Sequence, residues 1–368
     1  MKILYIANIR LPTEKAHGIQ IMKMCEAFAD LGYGVELVVP WRFNWIKTEP
    51  FEYYGVKKNF KITRLPSLDL VKFGRIGFLA QSASFAESAS WYTLFKKTDI
   101  IYSRDELPLF CLSFFKRNLF LEAHDGRLNF IIKNVLKRCP GIVAITKGLK
   151  DFYVNNGVDS KKIVVAADAV DIADFSKKYV QVDVRKKLGL PLDKKIVMYI
   201  GRLDGWKGTK TLFAASEMLP GVQTVVIGGE TKQIEQLKKE YPRIIFLGHR
   251  PYKDLAENQA AADVLLLPNT GKNEISARYT SPLKLFAYMA SNIPIVASDL
   301  PSIREILNEG NSVLVEPDNP QALAEGVKKV LENKELGERL ALAAKEKVND
   351  YTWDKRAEKI TEFLFAKL

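Results

Sequence analysis

Apolar on both faces and only a few residues long, Ile196-Val197-Met198-Tyr199-Ile200 and Val264-Leu265-Leu266-Leu267 cannot lie half-exposed on an antiparallel sheet. Such a sheet demands alternation, whereas a parallel strand covered by helices on both sides reads as a continuous hydrophobic run. Comparable runs occur at Lys2–Asn8, Gly34–Pro40, Phe60–Pro66, Asp99–Arg104, Leu119–His124, Gly141–Thr146 and Lys162–Val170. They continue at Lys195–Arg202, Gln223–Gly229, Arg243–His249, Asp263–Asn269, Pro294–Asp299 and Ser312–Pro317. Helical stretches lie between them. Ile19–Gly32 is amphipathic and ends on a glycine suited to a C-cap, and Gln321–Asn333 and Glu335–Val348 are rich in Ala, Leu, Glu and Lys. The class is therefore α/β, with doubly wound parallel sheets.

There are too many strands for one such sheet, and 368 residues suggest two domains at about 150 residues each. The polar, Lys-rich stretch Asp171–Leu192 is the expected break, before a fresh strand at Lys195. The expectation is two Rossmann-like domains, 1–175 and 176–351, facing across a cleft lined by the carboxyl ends of both sheets.

Composition excludes several classes. Cys25, Cys111 and Cys139 are scattered, with no CxxC or Cys/His ladder, so neither a structural zinc nor a disulfide framework is expected. The reducing cytosol is the expected compartment. No run reaches the ~18 apolar residues of a membrane span, and the start reads as a first strand rather than a secretion signal. Net charge is +12, which favours anionic partners. No Lys/Arg block of the nucleic-acid type is present, so nucleotide phosphates or anionic headgroups are favoured over nucleic acid. HExxH, GxSxG, GxxxxGK[ST] and DxDxDG motifs are absent as well.

Four segments carry candidate chemistry. In Tyr199-Ile200-Gly201-Arg202-Leu203-Asp204-Gly205-Trp206-Lys207-Gly208, a buried strand ends and a helix follows over Thr209–Leu219. Arg202 and Lys207 at that junction suit a diphosphate, one as a fork and one as a point charge; a basic surface turn is the alternative. Ser281-Pro282 reads as an N-cap followed by a first-turn proline, so the amides of Leu283, Lys284 and Leu285 would point at an anion; an ordinary capped helix is the alternative. His124 closes a strand and suits a sugar hydroxyl or a leaving oxygen, or else it braces its own turn with Asp125. His17 and Gly18 precede the first helix. No GxGxxG accompanies them, and His17 reads as structural rather than catalytic.

Together these residues resemble the family-4 retaining glycosyltransferases of GT-B fold, along essentially the whole chain and most strongly from Lys195 to Pro317. The resemblance implies donor-diphosphate binding by Gly18, Arg202, Lys207, Pro282, Leu283 and Lys284. It implies nucleoside contacts from the segment holding His249 and Arg250, and it makes His124 the active-site histidine. Tyr351-Thr352-Trp353-Asp354 and the helix to residue 368 resemble the terminal segment that crosses back onto the first domain. His17 and Arg104 are acceptor-side candidates. One departure stands out: Ala287 and Tyr279 occupy the positions of a glutamate pair, the second of which holds the donor ribose. An inactivated Glu→Ala form, a natural variant using another group such as Glu274, and a non-catalytic relative each account for it.

The implied activity is metal-independent, cofactor-free transfer of a sugar from a UDP- or GDP-sugar to the hydroxyl of a glycan, lipid-linked or small-molecule acceptor. A nucleotide-sugar-binding protein without turnover is the alternative, and an epimerase or hydrolase of the same fold ranks behind both. Peripheral contact with an anionic membrane is a separate reading. It rests on aromatic and basic residues interleaved at Trp41–Lys47 and over Phe73–Lys97, including Phe78, Phe85, Trp91, Tyr92 and Phe95; packing on the acceptor side of the cleft is its alternative.

Overall fold

In the computed structural model, which describes residues 1–368, each expected run contains a strand. The strands are β1 (Lys2–Ile6), β2 (Gly34–Pro40), β3 (Lys61–Leu65), β4 (Ile100–Ser103), β5 (Leu119–Ala123), β6 (Gly141–Ala144) and β7 (Ile163–Val165). They continue as β8 (Lys195–Ile200), β9 (Val222–Ile227), β10 (Ile245–Gly248), β11 (Val264–Leu267), β12 (Ile295–Ser298) and β13 (Val313–Val315). One sheet has the order β3-β2-β1-β4-β5-β6-β7 and the other β10-β9-β8-β11-β12-β13. The ladders are parallel, as in Tyr5 opposite Leu37 and Tyr102, or Tyr199 opposite Val226. In each sheet the strand order reverses beside its first strand, β1 or β8. That is where an open α/β sheet leaves a crevice at the carboxyl ends.

Two compact units result: Met1–Asp168 with Trp353–Leu368, and Ala169–Thr352. Six helices matter below: α1 (Ala16–Asp30), α2 (Gly74–Leu94), α3 (Gln181–Leu188), α4 (Thr209–Glu217), α5 (Leu283–Ala290) and α6 (Trp353–Phe365). Helix α6 packs on α1 and β6 in the first unit. The change of unit falls at Asp168/Ala169, ahead of the stretch expected to break the chain. The reason lies in Asp171–Leu192 itself, which contains α3 and is no linker. Buried Arg185 donates from Nε to Ala261 O (2.9 Å) and from Nη1 to Lys194 O (3.1 Å), and pairs with Asp263 at 2.7 Å. A Lys-rich solvent face had made an anchored helix look like a spacer. Beside the crossing, Val170 N–H donates to Tyr351 O (3.0 Å), within an isolated bridge between the two segments.

The second unit's core shows why the strands are apolar on both faces. Val197, Tyr199, Val226, Leu266 and Val296 pack against Leu212, Phe213, Leu323 and Val327 from covering helices. Among the aromatics expected at a membrane face, Phe85 is instead core, and Tyr92 Oη donates to Glu36. Helix α2 buries one stripe of its own sequence, which the interleaved pattern did not reveal. No helix is long and apolar enough to cross a membrane.

Candidate active site

Parallel pairing brings the loops after β8, β9, β10 and β11 to one edge of the second sheet. Glycines let them crowd there. Gly201 (φ +152°) follows β8, and a Cβ at Gly228 would collide with its carbonyl. Gly208 (φ +72°) precedes α4, and a Cβ there would strike the Pro268 carbonyl after β11. Only glycine tolerates both the left-handed φ and that approach.

Arg202 and Lys207 stand on the β8–α4 loop. Arg202 is exposed, and its Nη2 lies 3.2 Å from Asp204 Oδ1. Lys207 Nζ lies 3.5 Å from the Trp206 ring centre. Burial pushes Lys207 down to about 8, Asp204 acting against it and Arg202 with it. The Tyr199 hydroxyl donates to Arg202 O (2.7 Å), tying the loop to the strand below it.

Helix α5 approaches the same edge. Its N-cap is Pro282, not Ser281, and Leu285 N–H already donates to Pro282 O (2.8 Å). This corrects two expectations: Ser281 sits one position outside the helix, and the Leu285 amide is engaged. The side chain of Lys284, which sequence reasoning had valued only for its amide, lies 3.8 Å over the Tyr199 ring. Its Nζ is buried with no hydrogen-bond partner. Burial, then Lys207, hold it well below the ordinary lysine range. Tyr288, one turn on, accepts from Ile200 N–H (2.9 Å).

Other expected contributors stand apart in chemistry. His249 is exposed after β10, and Arg250 beside it has a buried Nε with no partner. Ala287 is buried in α5 and offers a ligand no polar atom. Glu274, the substitute carboxylate, is exposed and hydrogen-bonded to Tyr279. Asn269, after β11, is fully buried with both amide atoms unpartnered.

In the first unit the carboxyl edge carries a buried network around Glu122. His124 Nε2 lies 2.7 Å from Glu122 Oε1. Gln20 and Tyr102 both donate to the same carboxylate, and Arg104 Nη1 donates to Gln20 (3.0 Å). Arg356, from α6, pairs with Glu122 at 3.3 Å and donates from Nε to Ala167 O (2.9 Å). Burial alone would raise Glu122; Arg356 and the His124 and Tyr102 bonds outweigh it and hold the carboxyl well below its usual range. Burial, then Arg104, push His124 down to about 4. The imidazole is therefore neutral at pH 7. With Nε2–H given to Glu122, its Nδ1 is an acceptor, matched to a hydroxyl donor rather than an oxyanion. Glu122 was legible as a lone carboxylate in an apolar strand, which needs a partner; that the partner is Arg356 was not.

Gly18 lies in the first turn of α1, not in an open loop. The Tyr54 hydroxyl, bonded both ways to Thr13 (2.7 and 2.8 Å), fills the space a side chain would need. The Tyr54 contact is by itself a reason for glycine at this position. His17 shares that turn.

Residues 180–347 match the family model described as glycosyl transferases group 1. The chain is 28% identical over 230 residues to D-inositol 3-phosphate glycosyltransferase from Corynebacterium urealyticum, covering 57% of this chain and 53% of that protein. It is 33% identical over 184 residues to phosphatidyl-myo-inositol mannosyltransferase from Mycobacterium tuberculosis, covering 47% of each. The matches thus span about half the length of these relatives. Among solved structures, Anabaena HepE in complex with UDP and glucose matches at TM-score 0.81 and 18% identity, over 100% of both chains. Sucrose-phosphate synthase from Thermosynechococcus elongatus matches at 0.82 and 19%, again over 100% of both. These neighbours establish the GT-B fold of two Rossmann-like units. The match to the glycosyl transferases group 1 model covers nearly all of the second unit.

Proposed function

We propose that the protein is a retaining glycosyltransferase moving a sugar from a UDP- or GDP-sugar to an acceptor hydroxyl without a metal. One observation carries this reading: Arg202, Lys207 and Lys284 gather at the end of β8, and the Lys284 ammonium has no carboxylate bonded to it. Cations so placed suit the charge on a departing diphosphate. In the step, the bond from the anomeric carbon to the diphosphate oxygen breaks and a bond to the acceptor oxygen forms. The acceptor proton leaves with the diphosphate. His124, neutral and fixed by Glu122, is assigned to a hydroxyl of the transferred sugar, and Arg104 with His17 to the acceptor side. HepE, solved with UDP and glucose, supports a nucleotide donor, and the lipid-named mannosyltransferase relative supports a lipid or glycan acceptor.

Ala287 favours the second reading, a nucleotide-sugar binder without turnover. Thermal shifts against UDP, GDP, ADP and their sugar conjugates, for this chain and for Ala287→Glu, test both. A ligand at about 100 times its dissociation constant adds about 2.7 kcal/mol. A shift for one nucleotide, larger in Ala287→Glu, supports the donor site. No shift in either removes it, and a restored variant that binds without turning over supports the binder.

Membrane contact belongs to the same proposal. Trp41, Phe43 and Trp45, after β2, and Phe73 and Ile76, at the start of α2, are exposed beside Lys47, Lys72 and Arg75. Asp69 joins the two segments, accepting from Arg42 Nε (3.0 Å) and Phe43 N–H (2.8 Å). Exposed aromatics rimmed by cations suit an anionic headgroup layer. Pelleting with anionic but not neutral vesicles is expected; no pelleting with either overturns it.

A further inference from the structure

Parallel pairing gathers the amino ends of β1, β2, β3 and β4 at the edge of the first sheet opposite His124. A cavity of about 700 Å3 opens there, with Ile3, Leu4, Val35 and Phe60 in its lining. A second, of about 550 Å3, adjoins it, and Lys2, Lys96, Lys97 and Thr98 line both. Lys58, Lys61 and Lys116 bring the lysines to six, against two carboxylates, Glu36 and Asp99. Both carboxylates are already engaged. The Thr63 and Tyr92 hydroxyls donate to Glu36 (2.5 Å each), and Lys61 and Lys96 lie 3.3 and 3.4 Å from it. Burial alone would raise Glu36; these bonds, then the two lysines, hold it at about 2. Asp99 accepts from the Lys2 backbone N–H (2.7 Å). Two further lysines have structural tasks: Lys116 donates to the carbonyls of Leu94 and Lys96 (3.4 and 3.5 Å) at the end of α2, and Lys58 lies 3.6 Å from Glu49. Lys2 and Lys97 have none. Both are exposed, and neither ammonium has a carboxylate bonded to it. Beside them Thr98 Oγ1 is buried without a hydrogen-bond partner.

Four strands thus deliver like charges to one hollow. Solubility does not require this, because lysines spread over the surface serve it equally well without the mutual repulsion. An anion in the hollow removes that repulsion. Ammonium groups are point charges, suited to a phosphate rather than matched as a fork to a planar carboxylate. The hollow also falls within the roughly 300–1,000 Å3 of small-molecule sites, more room than inorganic phosphate fills. We propose that it binds a phosphorylated small molecule, with the phosphate between Lys2 and Lys97 and the organic part toward Val35 and Phe60. The site is independent of glycosyl transfer, for it shares no residue with Arg202, Lys207 or His124.

Calorimetric titration with glucose 6-phosphate, glycerol 3-phosphate, ATP and inorganic phosphate tests it, in the wild type and in Arg202→Ala/Lys207→Ala. At least one organic phosphate is expected to bind both proteins, and more tightly than inorganic phosphate. Lys2→Gln/Lys97→Gln is expected to bind it about tenfold or more weakly, as the loss of charged hydrogen bonds predicts. The same variant is expected to melt with the wild type, because both side chains are exposed, so lost binding is not a lost fold. Lys238→Gln/Lys239→Gln removes equal charge from an exposed helix of the second unit and is expected to leave binding unchanged. No binding of any probe, an equal loss in both lysine double variants, or binding abolished by Arg202→Ala/Lys207→Ala would each overturn the proposal. Pelleting with phosphatidylglycerol vesicles that requires Lys2 and Lys97, with no soluble phosphate bound, would also overturn it and assign the hollow to a lipid headgroup.

Discussion

The Lys284 ammonium sits over the face of Tyr199, whose hydroxyl holds the carbonyl of Arg202. Lys284 and Tyr288 are four residues apart and so share a face of α5, and Tyr288 takes the amide of Ile200, next to Tyr199. One strand end is thereby gripped twice by one helix face, and the loop bearing both other cations is tied to the same ring.

Arg202→Ala and Lys207→Ala should each lower turnover, by about tenfold or more if a charged hydrogen bond worth roughly 1.5–3 kcal/mol is lost at the transition state. Steady-state transfer rates with a donor identified by thermal shift provide the check. Wild-type rates in both variants would remove the diphosphate role.

Diphosphate affinity should fall as pH rises above about 8, where the free protein loses the Lys207 proton. The protonated lysine binds the anion, so affinity is greatest below that value. Lys207→Arg keeps its charge and should flatten this part of the profile. Titration at pH values from neutrality upward avoids the nucleotide's own ionisation near ~6.

Arg356→Met should destabilise the first unit by about 3–5 kcal/mol, because Glu122 keeps its burial and loses its cation. Urea unfolding gives the value. A change below ~1 kcal/mol would show that the other donors to Glu122 suffice.

His124 should make stability depend on pH between about 4 and 6.5. Its folded pKa is depressed to about 4, so in that window the unfolded chain binds the extra proton. Its contribution is complete above 6.5 and is lost as pH falls. For one proton the slope is at most about 1.4 kcal/mol per pH unit. His124→Asn should lower the slope in denaturant melts across this range.

Gly208→Ala should cost at least about 1–2 kcal/mol from the left-handed backbone alone, and more from the collision with the Pro268 carbonyl. Gly205→Ala, where a Cβ meets nothing within 4 Å, should be nearly neutral. Comparable losses at both positions would contradict the close approach of the β8–α4 loop to β11.

The local sequence determined the strands, the helices between them and the two-sheet class, because burial on both faces leaves a periodicity signal that tertiary contacts only confirm. It also placed Arg202 and His124 just past strand ends, since each follows an apolar run closely, and Lys207 on the loop after β8. It was blind wherever a residue's meaning depended on a partner distant in the chain. Nothing near Gly18 in the chain announced that the Tyr54 hydroxyl occupies the place of its missing side chain. Asp171–Leu192 looked like a linker until Arg185 met Ala261 and Asp263. Phe85 looked like part of a membrane face until α2 turned it inward. Lys284 looked like a backbone amide on a helix start until the Tyr199 ring, the Gly201 gap and Lys207 surrounded its ammonium. A one-dimensional pattern records which side of an element is apolar. The charges that meet on the polar side, and those left without a partner, were decided by tertiary packing.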